Sequence, residues 1–298
     1  MLEQLNDVYP SYSHLTLLLG LVLGLVVGSF LNVVIGRLPV MMQRQWQRDC
    51  ALALETATPE TTPNPAAEPS TFNISTPGSH CPKCKHPIKW YDNIPVLSWL
   101  LLKGKCRNCK ARISLRYPAI EILTGVVFAS IAWFYGAGWP ALYYMIFAAL
   151  LIAMFFIDYD HMLLPDQLTY FTLWLGLFVA WAGGPVSLPD AVMGAIAGYL
   201  FLWSVYWAFK LLTGKEGMGY GDFKLLAAFG AWAGFQLLPV IVLAAAFSGA
   251  VIGITLQLIQ RDKRGQPIPF GPFLILGGVI ALIWGEPLLH WYWGLVRI

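Results

Sequence analysis

Eight apolar blocks, most of them close to twenty residues long, leave this chain few folds to choose from. They fall at 15–36, 118–136, 140–157, 167–183, 190–211, 223–236, 238–259 and 272–293. Blocks of that length match the hydrocarbon core of a bilayer. In lipid each backbone amide and carbonyl must be satisfied within the segment, so the blocks are expected to be helices. Charge agrees: only 12% of the 298 residues are charged and 57% are hydrophobic, about half the charge of a soluble domain. The expected fold is an all-α polytopic membrane protein with about eight transmembrane helices. The sixth block is the shortest and merges with the seventh at Leu238-Pro239. The first reads as a retained span rather than a signal peptide. It is too long for the apolar part of one, it lacks a basic start, and Glu3 and Asp7 precede it.

The cations orient these spans. Twelve of the 19 Lys and Arg lie between Arg37 and Arg116, and Lys210, Lys215 and Lys224 flank the loop at 212–222. Arg261, Lys263 and Arg264 follow the seventh block. With eight spans all of these share one face and only Arg297 falls on the other; dropping a span would scatter them. By the positive-inside rule the basic face is cytoplasmic, and the compartment expected is a bacterial inner membrane. The linkers 137–139 and 184–189 carry no cation, as outer turns should.

Three regions follow: 1–36, an N-terminal segment and first span; 37–117, a cytoplasmic loop; and 118–298, a seven-span membrane domain. Within the loop, residues 56–79 are rich in Pro, Thr, Ser and Ala without a core-forming pattern and read as a disordered insert. Residues 80–117 hold "CPKC" (81–84) and "CRNC" (106–109), two knuckles separated by 21 residues. Two close thiolate pairs suit tetrahedral zinc. Disulfides are the other reading, disfavoured on a cytoplasmic loop. Cys81, Cys84, Cys106 and Cys109 would close the coordination shell, which makes such a zinc structural. His80 and His86 flank a knuckle and are not needed, and Cys50 is left over.

Most of the 16 acids have plain explanations. Asp166 and Asp190 read as caps of the fourth and fifth spans, and Glu121, a turn inside the second, reads as a structural partner of Arg116 or a knuckle cation. Two places remain. Asp158 directly follows ten apolar residues, Ala148–Ile157, with Asp160 further out beside His161; Asp222 ends "GMGYGD" at the start of the sixth block. The topology puts Asp158 and Asp222 at similar depth on one face. Ionisable groups at membrane depth are costly and are functional candidates by default. Two facing carboxylates do not both ionise easily. The charged one can take a proton from water while the protonated one polarises a carbonyl, which is general acid–base hydrolysis of a peptide bond. The glycines before Asp222 would allow unusual backbone angles and a close approach of backbone to substrate, and would serve as a hinge that brings the acid to its partner when substrate is bound. A helix cap and a snorkelling helix-end charge are the bland alternatives. No Walker loop, HExxH or GxSxG is present, and "GMGYGD" fails the dinucleotide fingerprint.

Several long motifs occur in order: "GSFLNVVIGRLP" (28–39), the two knuckles, "WYDNIPVLSWLLLKGKCRNC" (90–109), "RYPAIEILTG" (116–125), "IDYDHMLLPD" (157–166) and "GMGYGDFKLLAAFGAW" (217–232). In these the chain resembles the bacterial type IV prepilin peptidases, membrane aspartic proteases of the GxGD type, over nearly its whole length apart from 56–79. The resemblance implies that Asp158 and Asp222 are the catalytic pair, and it does not make Asp160 equally essential. It implies type IV prepilins and the pseudopilins of type II secretion as substrates, cut after glycine at the cytoplasmic membrane surface. It also implies methylation of the new N-terminus with S-adenosylmethionine, an activity associated with the cysteine-bearing loop. Gly36 stands where relatives often carry a larger residue. From the residues alone, an ion-coupled transporter using the two acids, or a non-enzymatic anchor whose zinc loop recruits a partner, are the alternatives. A transporter would want acids near the midplane and repeated helices, and no internal repeat is present.

Overall fold

The computed structural model describes residues 14–57, 72–259 and 268–296. Glu3, Asp7, the cluster at 261–264 and Arg297 lie outside them. The described residues are mostly helical, without a strand, and include two short turns of 3-10 helix, Trp90–Asn93 and Phe235–Leu237. In chain order the helices are α1 (His14–Ala57), α2 (Leu97–Leu101), α3 (Arg116–Tyr135), α4 (Trp139–His161), α5 (Asp166–Trp181), α6 (Leu188–Thr213), α7 (Tyr220–Ala233), α8 (Leu238–Ile259) and α9 (Gly271–Val296). All but the short α2 fall on the eight apolar blocks. Among the described residues six helices are long and apolar enough to cross a membrane, namely α1, α3, α4, α6, α8 and α9. α5 and α7, with 16 and 14 residues, fall short of that length. The chain is an all-α polytopic membrane protein.

It divides into two compact units, 1–153 and 154–298, with the boundary inside α4. In the first unit α1 packs along α3. Gly20, Gly24 and Gly28 recur every fourth residue and so share one face of α1. A Cβ on Gly24 would lie 2.5 Å from the Thr124 carbonyl, and one on Gly28 would lie 2.7 Å from Glu121 Cα. Small residues at this spacing let two backbones approach, which is how helices associate where lipid removes any hydrophobic driving force. Asn32 fastens the same pair, its Nδ2 donating to the Tyr117 carbonyl at 3.1 Å.

α1 corrects the expected first span. It has 44 residues and runs through Pro39 to Ala57, about 66 Å at the rise of an α-helix. Residues 40–57 contain neither Gly nor Pro and consist largely of good helix formers, so nothing stops the helix at the end of the apolar block. The insert expected at 56–79 therefore begins with helix. Residues 58–71 lie outside the described residues, and 72–79 fold back on α1. The Asn73 side chain accepts from the amides of Ser75 and Thr76. Arg37 donates to the carbonyls of Asn73 and Ile74, and Arg44 stacks 4.3 Å above the Phe72 ring.

In the second unit α7 is the central element, packed against α5, α6 and α9. Phe223, Leu225 and Leu226 are fully buried, and so are the residues from Ala227 to Trp232. A helix that is apolar all round is one surrounded by protein, which explains why α7 needs no membrane length. Gly198 lets it lie against α6, where a Cβ would come 2.7 Å from the Leu226 carbonyl. Trp232 Nε1 donates to the Thr172 carbonyl of α5 at 2.9 Å.

Two cap assignments change. α6 is capped by Ser187, whose Oγ accepts from the Asp190 amide and donates to the Asp190 carboxylate, a reciprocal arrangement akin to a capping box. Asp166 is the first residue of α5, not its cap. Its carboxylate pairs with Lys224 Nζ of α7 at 2.6 Å.

Candidate active site and metal centre

Among the described residues three carboxylates are buried: Glu121, Asp158 and Asp222. The last two belong to the second unit. Asp158 sits in the last turn of α4, 5% exposed, and Asp222 in the first turn of α7, 7% exposed. The two carboxylates lie within electrostatic range of each other. One buried side chain, Leu164, marks their shared neighbourhood. A Cβ on Gly221, next to Asp222, would meet Leu164 Cβ at 2.7 Å, and one on Gly271 would meet Leu164 Cδ1 at 3.3 Å.

Gly271 was not singled out in the sequence. It begins α9, where backbone amides have no intrahelical acceptor, and its N–H donates to Asp158 Oδ2 at 3.0 Å. The positive end of the helix dipole thus faces a carboxylate. Only glycine permits this approach, since a Cβ would lie 2.5 Å from the same oxygen. The legible signal was the Gly-Pro step at 271–272, a common helix start.

The unusual backbone angles expected of the glycine run before Asp222 are not found. None of Gly217, Gly219 and Gly221 has a positive φ; in this loop that conformation belongs to Gly214, at φ +70°. The three glycines provide room instead. Gly217 lies under the Phe209 ring, 2.9 Å from where a Cβ would be, and Gly221 lies against Leu164. Gly219 is open: a Cβ there would meet nothing nearer than Asp222 Oδ2, at 3.8 Å. The bare backbone at Gly219 therefore leaves space beside that carboxylate. The loop is also fastened to α6. Lys210 Nζ donates to Glu216 Oε1 at 2.8 Å and to the Tyr206 hydroxyl at 3.2 Å, and this contact holds the Glu216 carboxyl below its usual range. Asp160, two residues from Asp158, is exposed.

Glu121 belongs to the first unit, and its partners are not the cations expected. Its Oε2 accepts from the Val96 amide at 2.8 Å. Val96 has φ +59°, a conformation that a β-branched residue adopts only under constraint.

The cysteine knuckles are two copies of one turn. Lys85 N donates to Cys81 O and Cys81 N to His86 O; Lys110 N donates to Cys106 O and Cys106 N to Ala111 O. Lys85 and Lys110 take the same left-handed conformation, φ 58° and 57°. The four Sγ atoms of Cys81, Cys84, Cys106 and Cys109 lie within 4.8 Å of one another, with Cys81–Cys109 at 3.8 Å and Cys84–Cys106 at 4.0 Å. A tetrahedron of sulfurs about 2.3 Å from zinc has edges of about 3.8 Å, so the cluster fits that ion. All four are free thiols. Amide donors within the turns hold Cys81, Cys84 and Cys106 below the usual thiol value. Cys109 receives an amide from Ala111, which pulls it down, yet desolvation and the three neighbouring sulfurs push it up to about 11. A cation is what would let all four ionise together. His80 turns to the Gly78 carbonyl, 2.9 Å from its Nδ1, and neither His80 nor His86 joins the cluster. Cys50 is exposed on α1.

These features define a class: a helical membrane protein with a pair of buried aspartates at helix ends and a four-cysteine cluster that could hold a metal ion on a loop. Comparison with known proteins makes the class specific. Residues 22–135 match the bacterial peptidase A24 N-terminal domain and residues 145–254 the type IV leader peptidase family. A prepilin leader peptidase/N-methyltransferase of Aeromonas salmonicida (strain A449) is 52% identical over 268 residues, 90% of each chain. The protein of that name from Stutzerimonas stutzeri is 50% identical over 283 residues, 94% of this chain and 95% of the other. That of Pseudomonas aeruginosa is 47% identical over 290 residues, 97% of each. The chain belongs to the type IV leader peptidase family. No solved structure gave a significant match.

Proposed function

We propose that this chain is a membrane aspartic endopeptidase that removes the leader of type IV prepilins and type II secretion pseudopilins after glycine, and methylates the amine it exposes. Asp158 and Asp222 are the catalytic pair. The observation that carries this reading is the burial of two carboxylates, at helix ends, within range of each other and beside an open stretch of backbone at Gly219. With one carboxylate ionised and one protonated, the first takes a proton from water and the second polarises the scissile carbonyl. The Gly271 amide favours Asp158 as the ionised partner, because a donated hydrogen bond stabilises the charged form. Asp158 is then the base and Asp222 the acid.

The cysteine cluster binds zinc, which holds the knuckles in register and supplies structure rather than reactivity. The names of the relatives support the methyl transfer, and S-adenosylmethionine is its donor. The basic segments, with all eight apolar blocks taken as spans, support a cytoplasmic position for the knuckles and the aspartates at a bacterial inner membrane.

The test is mass spectrometry of a prepilin peptide incubated with the chain in lipid and the methyl donor. The expected products are the mature fragment cut after glycine and its singly methylated form. Asp222→Asn and Asp158→Asn should each lower cleavage by about a thousandfold or more, since each removes one of the two proton-transfer groups. Cleavage that survives either change with the protein folded and inserted would sink the mechanism.

A further inference from the structure

The site described above makes no use of the face that α2 turns outward. Leu97, Leu100 and Leu101 are spaced so that they form one stripe, and they are 58%, 58% and 81% exposed. The inner face looks to the knuckles: Trp99 lies against Gly104, and its Nε1 donates to the Ile113 carbonyl at 3.4 Å. Three adjacent exposed leucines on a short helix mark a surface that something apolar covers.

One hydrogen bond sets the level of that surface. The Val96 amide, at the start of α2, donates to Glu121, and Glu121 is the sixth residue of α3. At the rise of an α-helix this is roughly 8 Å inside a membrane-spanning helix. α2 thus starts beside the first two turns of α3, close to where the apolar block at 118–136 begins. Leu115 and Tyr117, at the start of α3, are exposed apolar side chains as well. Exposed Lys103 and Lys105 follow α2 directly, where long basic side chains can reach anionic headgroups.

We propose that α2 lies in the bilayer surface, with its leucine stripe among the acyl chains and the lysines among anionic headgroups. The four-cysteine hairpin is then a membrane-surface module rather than a loop in bulk water. The occupant of the stripe is lipid. The inference rests on the spans and on the Val96–Glu121 contact, not on the peptidase reading.

The test places a photoreactive benzophenone amino acid at Leu97 or Leu101, one at a time, in the full chain. Lys83, exposed on the first knuckle, is the control. The protein is reconstituted in vesicles of phosphatidylethanolamine and phosphatidylglycerol, irradiated and digested, and the labelled peptides are weighed. Lipid adducts at 97 and 101 should exceed those at 83 by about tenfold. Yields at 97 and 101 no higher than at 83 would overturn the proposal. So would adducts to protein in place of lipid, whether to another part of this chain or to a second copy.

Discussion

Gly271 is the residue whose role can be tested most cleanly. In a helix interior, replacing glycine by alanine favours the helix by up to about 1 kcal/mol, but Gly271 stands at the first position, where that gain does not apply. Here the new Cβ would lie 2.5 Å from Asp158 Oδ2, so the carboxylate must move or lose its amide donor. Gly271→Ala should therefore cut kcat for leader cleavage about tenfold or more, which corresponds to about 1.4 kcal/mol of transition-state stabilisation. The thermal midpoint should change little, because the atom displaced is the end of a side chain. A variant that loses activity only in proportion to folded protein would show that the contact is structural. The aspartates themselves were legible in the sequence because a charge stands out in apolar surroundings. Gly271 was not, because nothing local reveals that its amide meets a side chain 113 positions away. The pairing of Asp166 with Lys224, 58 positions apart, was hidden for the same reason. The unusual φ of Val96 was hidden too, since the Glu121 carboxylate that satisfies its amide lies on another helix.

At the scale of elements, the glycines of α1 mark where two helices touch. Gly24 and Gly36 make a controlled comparison on one helix. A Cβ on Gly24 would strike the Thr124 carbonyl and Gly125 Cα, whereas one on Gly36 would meet nothing within 4 Å. Gly24→Leu should destabilise the first unit by about 1–3 kcal/mol, the usual cost of overpacking. Gly36→Ala should be neutral or stabilise by up to about 1 kcal/mol. Equilibrium unfolding in mixed micelles or bicelles measures both; equal effects would mean that the α1–α3 contact is not what holds this pair. The four-residue spacing of Gly20, Gly24 and Gly28 could have been read from the sequence as a packing face. What the apolar blocks could not show was where helices end. α1 continues because helix propensity persists after hydrophobicity stops, and α7 is short because protein, not lipid, surrounds it. The glycine loop before Asp222 was legible as special, though its backbone angles were not: its glycines serve close packing and open space, not left-handed backbone.

For the whole molecule, the division into two units carries the consequence. The four cysteines lie in 1–153 and both aspartates in 154–298, so the proposed metal site and the proposed hydrolytic chemistry reside in separately packed parts of the chain. Thiolate ligands must be deprotonated to hold a metal. The sign follows from the hydrogen-bonded sulfurs: as pH falls, protons compete for Cys81, Cys84, Cys106 and Cys109, and metal is released. Zinc content measured across a pH titration should fall steeply on acidification, with more than one proton taken up per ion. Cys81→Ser should remove the metal at neutral pH as well and lower the stability of the first unit. Cleavage of a prepilin peptide, normalised to folded and inserted protein, should then change by no more than about twofold, because Asp158 and Asp222 belong to the other packed unit. Methyl transfer, if it depends on the cysteine-bearing loop, should fall with the metal. The informative result is the ratio of the two products in one mass spectrum. Unmethylated mature fragment accumulating at a near-normal rate separates the activities between the units. Joint loss of cleavage and methylation in well-folded Cys81→Ser protein would instead require that the metal loop act on the aspartate pair.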